Sequence, residues 1–150
     1  MAVVEVDNRS GAEVDEAPLV GLAEFALARL GMHPEVELAV SLVDPAEIAA
    51  LHERWLDLPG PTDVLSFPMD ELGVPADGEP AEPGMLGDVV ICPQVAAEQA
   101  RSAGHGTAAE LELLLVHGIL HLLGHDHAEP SEHAAMFSLQ DALLAQWRAR

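Results

Sequence analysis

The chain contains no lysine, and its basic residues are six arginines set against twenty-six aspartates and glutamates, for a formal net charge of −20 over 150 residues. Phosphate affinity rests on cationic neutralisation and counterion release, so this balance excludes an avid, free-standing nucleic-acid binder. A local site is still possible, because exposed charges are screened beyond ~8 Å at physiological ionic strength and a divalent ion adds positive charge of its own. Cysteine is nearly absent too: the lone Cys92 excludes an internal disulfide and fits a reducing compartment, where it serves as a small buried apolar residue. The first residues lack the basic start and apolar run of a secretion signal, and no segment reaches the length of a membrane span, so a cytoplasmic protein with no membrane partner is expected. There are no internal repeats, and the length suits one domain covering residues 1–150.

What is present alternates between two periodicities. Residues 3–8 (VVEVDN), 36–44 (VELAVSLVD), 63–68 (DVLSFP) and 86–92 (LGDVVIC) read as strands, the last two stopped by Pro68 and Pro93. Residues 18–31 carry a helical apolar pattern closed by Gly31. Asp44 followed by Pro45 starts a second helix, with the carboxylate as cap and proline at the first helical position. A third helix is expected over residues 94–104, and a fourth opens at Thr107, with Glu110 three residues on as a capping box. A final capped helix over about residues 131–147 should cover the sheet. Between the last two strands lies MDELGVPADGEPAEPGM, rich in proline, glycine and acid, for which a mobile segment is expected over a functional lid. The class is α+β: a small mixed sheet of about four strands packed with about five helices.

The densest chemistry is HGILHLLGHDH, residues 117–127, which holds four of the eight histidines. His117 and His121 stand one helical turn apart, so both imidazoles can reach a single point. Gly124 can end the helix in a left-handed conformation and turn the chain back, bringing His127 as a third ligand. Three neutral imidazoles with no thiolate leave a tetrahedral zinc ion one position for water, which is the coordination of a catalytic site rather than a structural one. Leu111, Leu114, Leu115, Gly118 and Leu122 fall on one flank of this helix and should pack on the core, leaving the histidines on the neighbouring flank. Glu110 is a further candidate partner for His117, with capping as its expected role.

The ligand spacing matches the zinc-peptidase pattern HExxHxxGxxH except at its base, because Gly118 stands where the glutamate would be. A glycine moves no proton, and losing a positioned base costs about two to four orders of magnitude in rate. Taken with PTDVLSFP (61–68) and LGDVVIC (86–92), HGILHLLGHDH resembles the YbeY family of bacterial zinc-dependent endoribonucleases, also called rRNA maturation factors, with the motifs in order over about residues 40–145. The resemblance implies a single α+β domain with a zincin-like metal helix and one zinc ion on His117, His121 and His127. It also implies cleavage of single-stranded RNA in maturing the 3′ end of small-subunit ribosomal RNA and in ribosome quality control. Two positions depart from the family: Leu56 stands where a basic residue is common, and His125 where tyrosine is. Arg54, two residues before Leu56, is the candidate replacement for that charge.

An ion held by three neutral imidazoles acidifies its bound water toward neutrality, which removes the need for a dedicated carboxylate base. Attack by the RNA's own 2′-hydroxyl is an open second route. His117 is carried as a catalytic as well as a ligand position. Asp126, between two histidines, is a candidate for orienting a ligand or shuttling a proton, with a plain turn residue as its alternative. Asp63 and Asp88, each at a strand edge, are weaker candidates for that orienting or shuttling role, and Arg54 and Ser66 are candidates to meet phosphate. The spacing suits nickel or iron as well as zinc. Two other classes stand beside the endoribonuclease: a ribosome-assembly factor whose zinc is structural, and a metallopeptidase-like hydrolase, which Gly118 opposes. Because the arginines form no cluster, a small-subunit ribosomal protein or assembly factor is expected to bring the RNA.

Overall fold

A computed structural model of the chain describes residues 1–125 and 129–150. The elements run β1 (Val3–Asn8), α1 (Ala17–Arg29), β2 (Glu37–Leu42), α2 (Pro45–Leu56), β3 (Val64–Pro68), β4 (Met85–Ile91), α3 (Pro93–Ala103), α4 (Thr107–Leu122) and α5 (Pro130–Ala149). The sheet order is β1-β2-β4-β3; β1, β2 and β4 are parallel, and β3 returns antiparallel to β4 to form one edge. This is the α+β arrangement of four strands and five helices that the alternating patterns predict.

Strand alternation divides the core in two. Leu38, Val40 and Leu42 of β2 and Leu86, Val89 and Ile91 of β4 enter the main cluster with α1, α4 and α5. Val90 and Leu65 point the other way, into a smaller cluster under α2 with Val43, Ile48 and the buried Cys92. The start of α2 follows its sequence signal, since the Asp44 carboxylate accepts the Glu47 N–H at 2.8 Å and Pro45 occupies the first turn. The segment joining β3 to β4 forms no helix or strand; Asp70 accepts the Met85 N–H at 2.9 Å, and Leu72 packs on the main core.

The helix bearing the histidines is more deeply set than a one-flank pattern suggests. Val116, Ile119 and Leu120 are buried along with Leu111, Leu114, Leu115 and Leu122, because α4 is held between α1, α3 and α5 on its sides and β3 and β4 beneath. A helix apolar on most of its circumference belongs in a core, and this one carries its polar chemistry only where the cover ends.

Two expectations are corrected. The capping box does not form: Gly106 is the cap residue of α4, Thr107 already lies inside the helix, and no side chain caps it. Glu110 is buried instead against His105, whose Nε2 lies 2.6 Å from its carboxylate, a pairing that consumes the group the box would need. The last helix likewise starts at Pro130 after Glu129 with no side-chain cap, and it packs on α1 and α4 rather than covering the sheet. Its Trp147 donates Nε1–H to Glu112 of α4 at 2.9 Å and meets Phe25 of α1 edge-on. Among the described residues no helix is long and apolar enough to cross a membrane.

Candidate metal centre and cleft

At the C-terminal end of α4 the histidines converge. The rings of His117 and His121 lie 4.7 Å apart between centroids, and their Nε2 atoms face each other at 3.2 Å. The helix stops directly afterwards: Gly124 takes φ +93°, its N–H bonds the His121 carbonyl, and the His125 N–H bonds the Leu120 carbonyl, both at 3.0 Å. That pair of reversed bonds is a Schellman end, and it needs the left-handed residue that glycine supplies. The chain thus leaves the helix where the sequence expects it to turn. His127 and Asp126 lie outside the described residues. Among those described, no three histidine, cysteine, aspartate or glutamate side chains gather at metal-holding distance.

His117 is oriented from the far side by α5. Its Nδ1 lies 2.9 Å from Oε1 of Gln140, which is 1% exposed, and Phe137 tilts against its ring at 5.6 Å between centroids. A carbonyl oxygen accepts only, so Nδ1 carries the proton and Nε2 presents its lone pair toward His121. This is the outer hydrogen bond that fixes a metal-binding histidine in the required tautomer. The spacing fits as well: two nitrogens at about 2.0–2.1 Å from one tetrahedral zinc stand roughly 3.3 Å apart, close to the 3.2 Å between these two. The residues present therefore suit a divalent ion on His117 and His121.

Gly118 explains the departure from the peptidase pattern. A Cβ at this position would come 2.6 Å from Val89 Cγ1 and 3.2 Å from Ser66 Oγ, so α4 lies against β4 and β3 too closely for a side chain unless Val89 shifts. Ser66 donates its hydroxyl to the Gly118 carbonyl at 2.9 Å, tying the edge strand to the metal helix. The position that would carry a general base is therefore a backbone packing contact, and a glutamate there has no room without that shift.

The histidines open onto a cleft of about 590 Å³ walled by Trp55 and Leu56 of α2, the strand β3 and Asp63 before it. Ser66 lines this cleft with its hydroxyl already engaged. Leu56 lines it too, so the position where the family commonly has a basic residue faces the site. Arg54 is not among the lining residues; its guanidinium sits 5.1 Å from the centre of the Trp55 ring. Asp63 accepts the Val64 N–H at 2.8 Å beside the cleft. Asp88 is separated from the histidines: it shares parity with Val90 and lines a different groove, on the α2 face of the sheet.

Gln140, Phe137 and Trp55 are the residues that reading the sequence missed. Gln140 did leave a signal, since it interrupts the buried series Met136, Leu143, Leu144 and Trp147 at helical spacing, and a polar residue in such a stripe needs a partner.

Sheet, core helix and paired imidazoles make an α+β protein in which two histidines face each other at the end of a deeply buried helix. The sequence profile of a family described as Endoribonuclease YbeY matches residues 5–148, and the chain belongs to that family. It is 61% identical over 145 residues to a Thermobifida fusca protein named Endoribonuclease YbeY, covering 97% of this chain and 94% of that one. An Acidothermus cellulolyticus protein of the same name is 60% identical over 151 residues, covering 97% and 92%. The solution structure of TM1509 from Thermotoga maritima shares the fold, with TM-score 0.60 at 24% identity over 99% of this chain and 93% of that one.

Proposed function

We propose that the chain is, as one domain, a metal-dependent endoribonuclease that cuts single-stranded RNA, acting in the cytoplasm on the 3′ end of small-subunit ribosomal RNA and in ribosome quality control. The observation that carries this reading is the convergence of His117 and His121, with Gln140 holding His117 in the ligand tautomer; the names of its relatives supply the substrate class.

His117, His121 and His127 are the residues that would hold the ion, and zinc suits three neutral imidazoles. When bound, zinc supplies Lewis-acid chemistry, polarising a phosphoryl oxygen and lowering the pKa of a water. The rest falls to the chain. Gln140 keeps the His117 proton on Nδ1, and Ser66 ties β3, a wall of the cleft, to the Gly118 carbonyl of the ligand helix. With Gly118 packed against Val89, no carboxylate enters from that position, which counts against a peptidase mechanism. Asp126 is assigned the orienting or proton-shuttling role, and Arg54, against Trp55, is the candidate for a strand phosphate. Because the net charge is −20, a small-subunit protein or assembly factor presents the RNA.

The test is cleavage of a single-stranded oligoribonucleotide beside the all-deoxy strand and the RNA duplex of the same sequence, before and after chelation and zinc return. Chelator-sensitive cutting of the single-stranded RNA alone is expected; hydrolysis of casein in its place would overturn the reading.

A further inference from the structure

We propose that the indole of Trp55 is a stacking platform for an unpaired base of the RNA strand lying in the histidine cleft, an assignment that rests on the endoribonuclease reading and names a substrate-positioning residue within it. Trp55 is 58% exposed, an unusual state for the largest apolar side chain, and it forms part of the same wall as His117 and His121. Two further apolar side chains beside it in the chain, Leu56 and Leu58, are about half exposed.

The ring is held in place. Phe67 of β3 meets it edge-on, at 6.2 Å between centroids and 66° between planes, and the Arg54 guanidinium lies over it. Trp55 also sits in the last turn of α2, whose end is fixed by Asp57 in the left-handed region (φ 54°) and by the Leu58 N–H on the His52 carbonyl. The His52 ring meets the Gly60 carbonyl at 3.0 Å, which pins the loop that follows. A platform already ordered before binding costs little further entropy when a ligand arrives.

Charge selects the occupant. With no lysine and a net charge of −20, the chain has little cationic surface to hold an RNA strand by its phosphates: Arg54 lies against Trp55, and Arg9, in the neighbouring groove, is already paired with Asp7 and Glu47. Stacking on an aromatic face is independent of net charge, tolerates any base and is open only to bases outside a duplex. It therefore adds affinity that charge does not provide, together with a preference for single strands. Trp55, Phe67 and Pro68 also line the groove on the other side of β3, so the platform marks where a strand would leave the cleft around the sheet edge.

The experiment uses the metal-loaded full chain and follows tryptophan fluorescence. The other indole, Trp147, is buried and bonded to Glu112, so quenching by nucleic acid reports Trp55. Titration with a 2′-O-methyl oligouridylate, its integrity checked by gel after each titration, should quench the wild type and leave Trp55→Leu unchanged. KM for a single-stranded substrate should rise roughly tenfold in Trp55→Leu with kcat largely kept, as expected for one lost base stack, and Trp55→Phe should recover part of it. An abasic residue placed at one position along the probe should weaken wild-type binding by the same factor and add nothing in Trp55→Leu. Normal cleavage with unchanged KM in Trp55→Leu, or indifference to the abasic residue at every position, overturns the platform while leaving the endoribonuclease intact. If no RNA is cut at all, the parent reading fails, and the quenching series still decides for or against the platform.

Discussion

Gln140 of α5 holds Nδ1 of His117 at 2.9 Å from a position that is almost fully buried. One ligand of the proposed metal is thus oriented by a residue twenty-three positions later in the chain, and the packing of α5 on α4 becomes part of the site. Gln140→Leu keeps the volume and removes the acceptor. It should lower metal affinity by about 10–100-fold, the usual effect of losing a ligand's outer hydrogen bond, while Gln140→Glu keeps an acceptor and should lose less. Competition against a chromophoric chelator measures both.

The contact between Gly118 and Val89 leads to a second expectation. Gly118→Ala places a methyl group 2.6 Å from Val89 Cγ1. Overpacking of this kind destabilises by about 1–3 kcal/mol, readable as a shift in the urea midpoint. Gly118→Glu restores the peptidase letters yet should lower stability further and confer no peptidase activity, because β3 and β4 occupy the space.

Leu56 faces the cleft where the family commonly carries a basic residue. Leu56→Arg should tighten binding of single-stranded RNA and steepen its salt dependence by about 0.7 in log K against log salt, the share of one phosphate contact. A titration at several salt concentrations gives the slope; no change in slope would place Leu56 away from the strand.

Much of this architecture is legible in the sequence because its signals are local. Alternation in residues 3–8, the Asp44-Pro45 start and the glycine at 124 each act within a few residues, and each holds in the structure. The failures are non-local. Thr107 and Glu110 spell a capping box, but Glu110 is drawn to His105, a choice made by burial rather than by letters. Helical spacing shows that α5 has an apolar face without saying what it covers, so its seat on α1 and α4 was not readable. At the site, the four-residue spacing of His117 and His121 is local and visible, whereas Gln140 and Phe137 reach it only through folding.

The cap of α2 matters to the cleft because that helix presents Trp55 and Leu56. Asp44→Ala removes the acceptor for the Glu47 N–H. A loss of about 1 kcal/mol is expected in chemical denaturation, with a smaller fraction of molecules binding RNA at temperatures near the unfolding midpoint.

The most direct measurement is metal content by elemental analysis, run beside cleavage of a single-stranded RNA on the same preparations of wild type and His117→Ala. One divalent ion per wild-type chain with cleavage, and the loss of both in a folded His117→Ala, is the predicted result. Equal cleavage by the two proteins, or a wild type that cuts RNA with no metal bound, would contradict it.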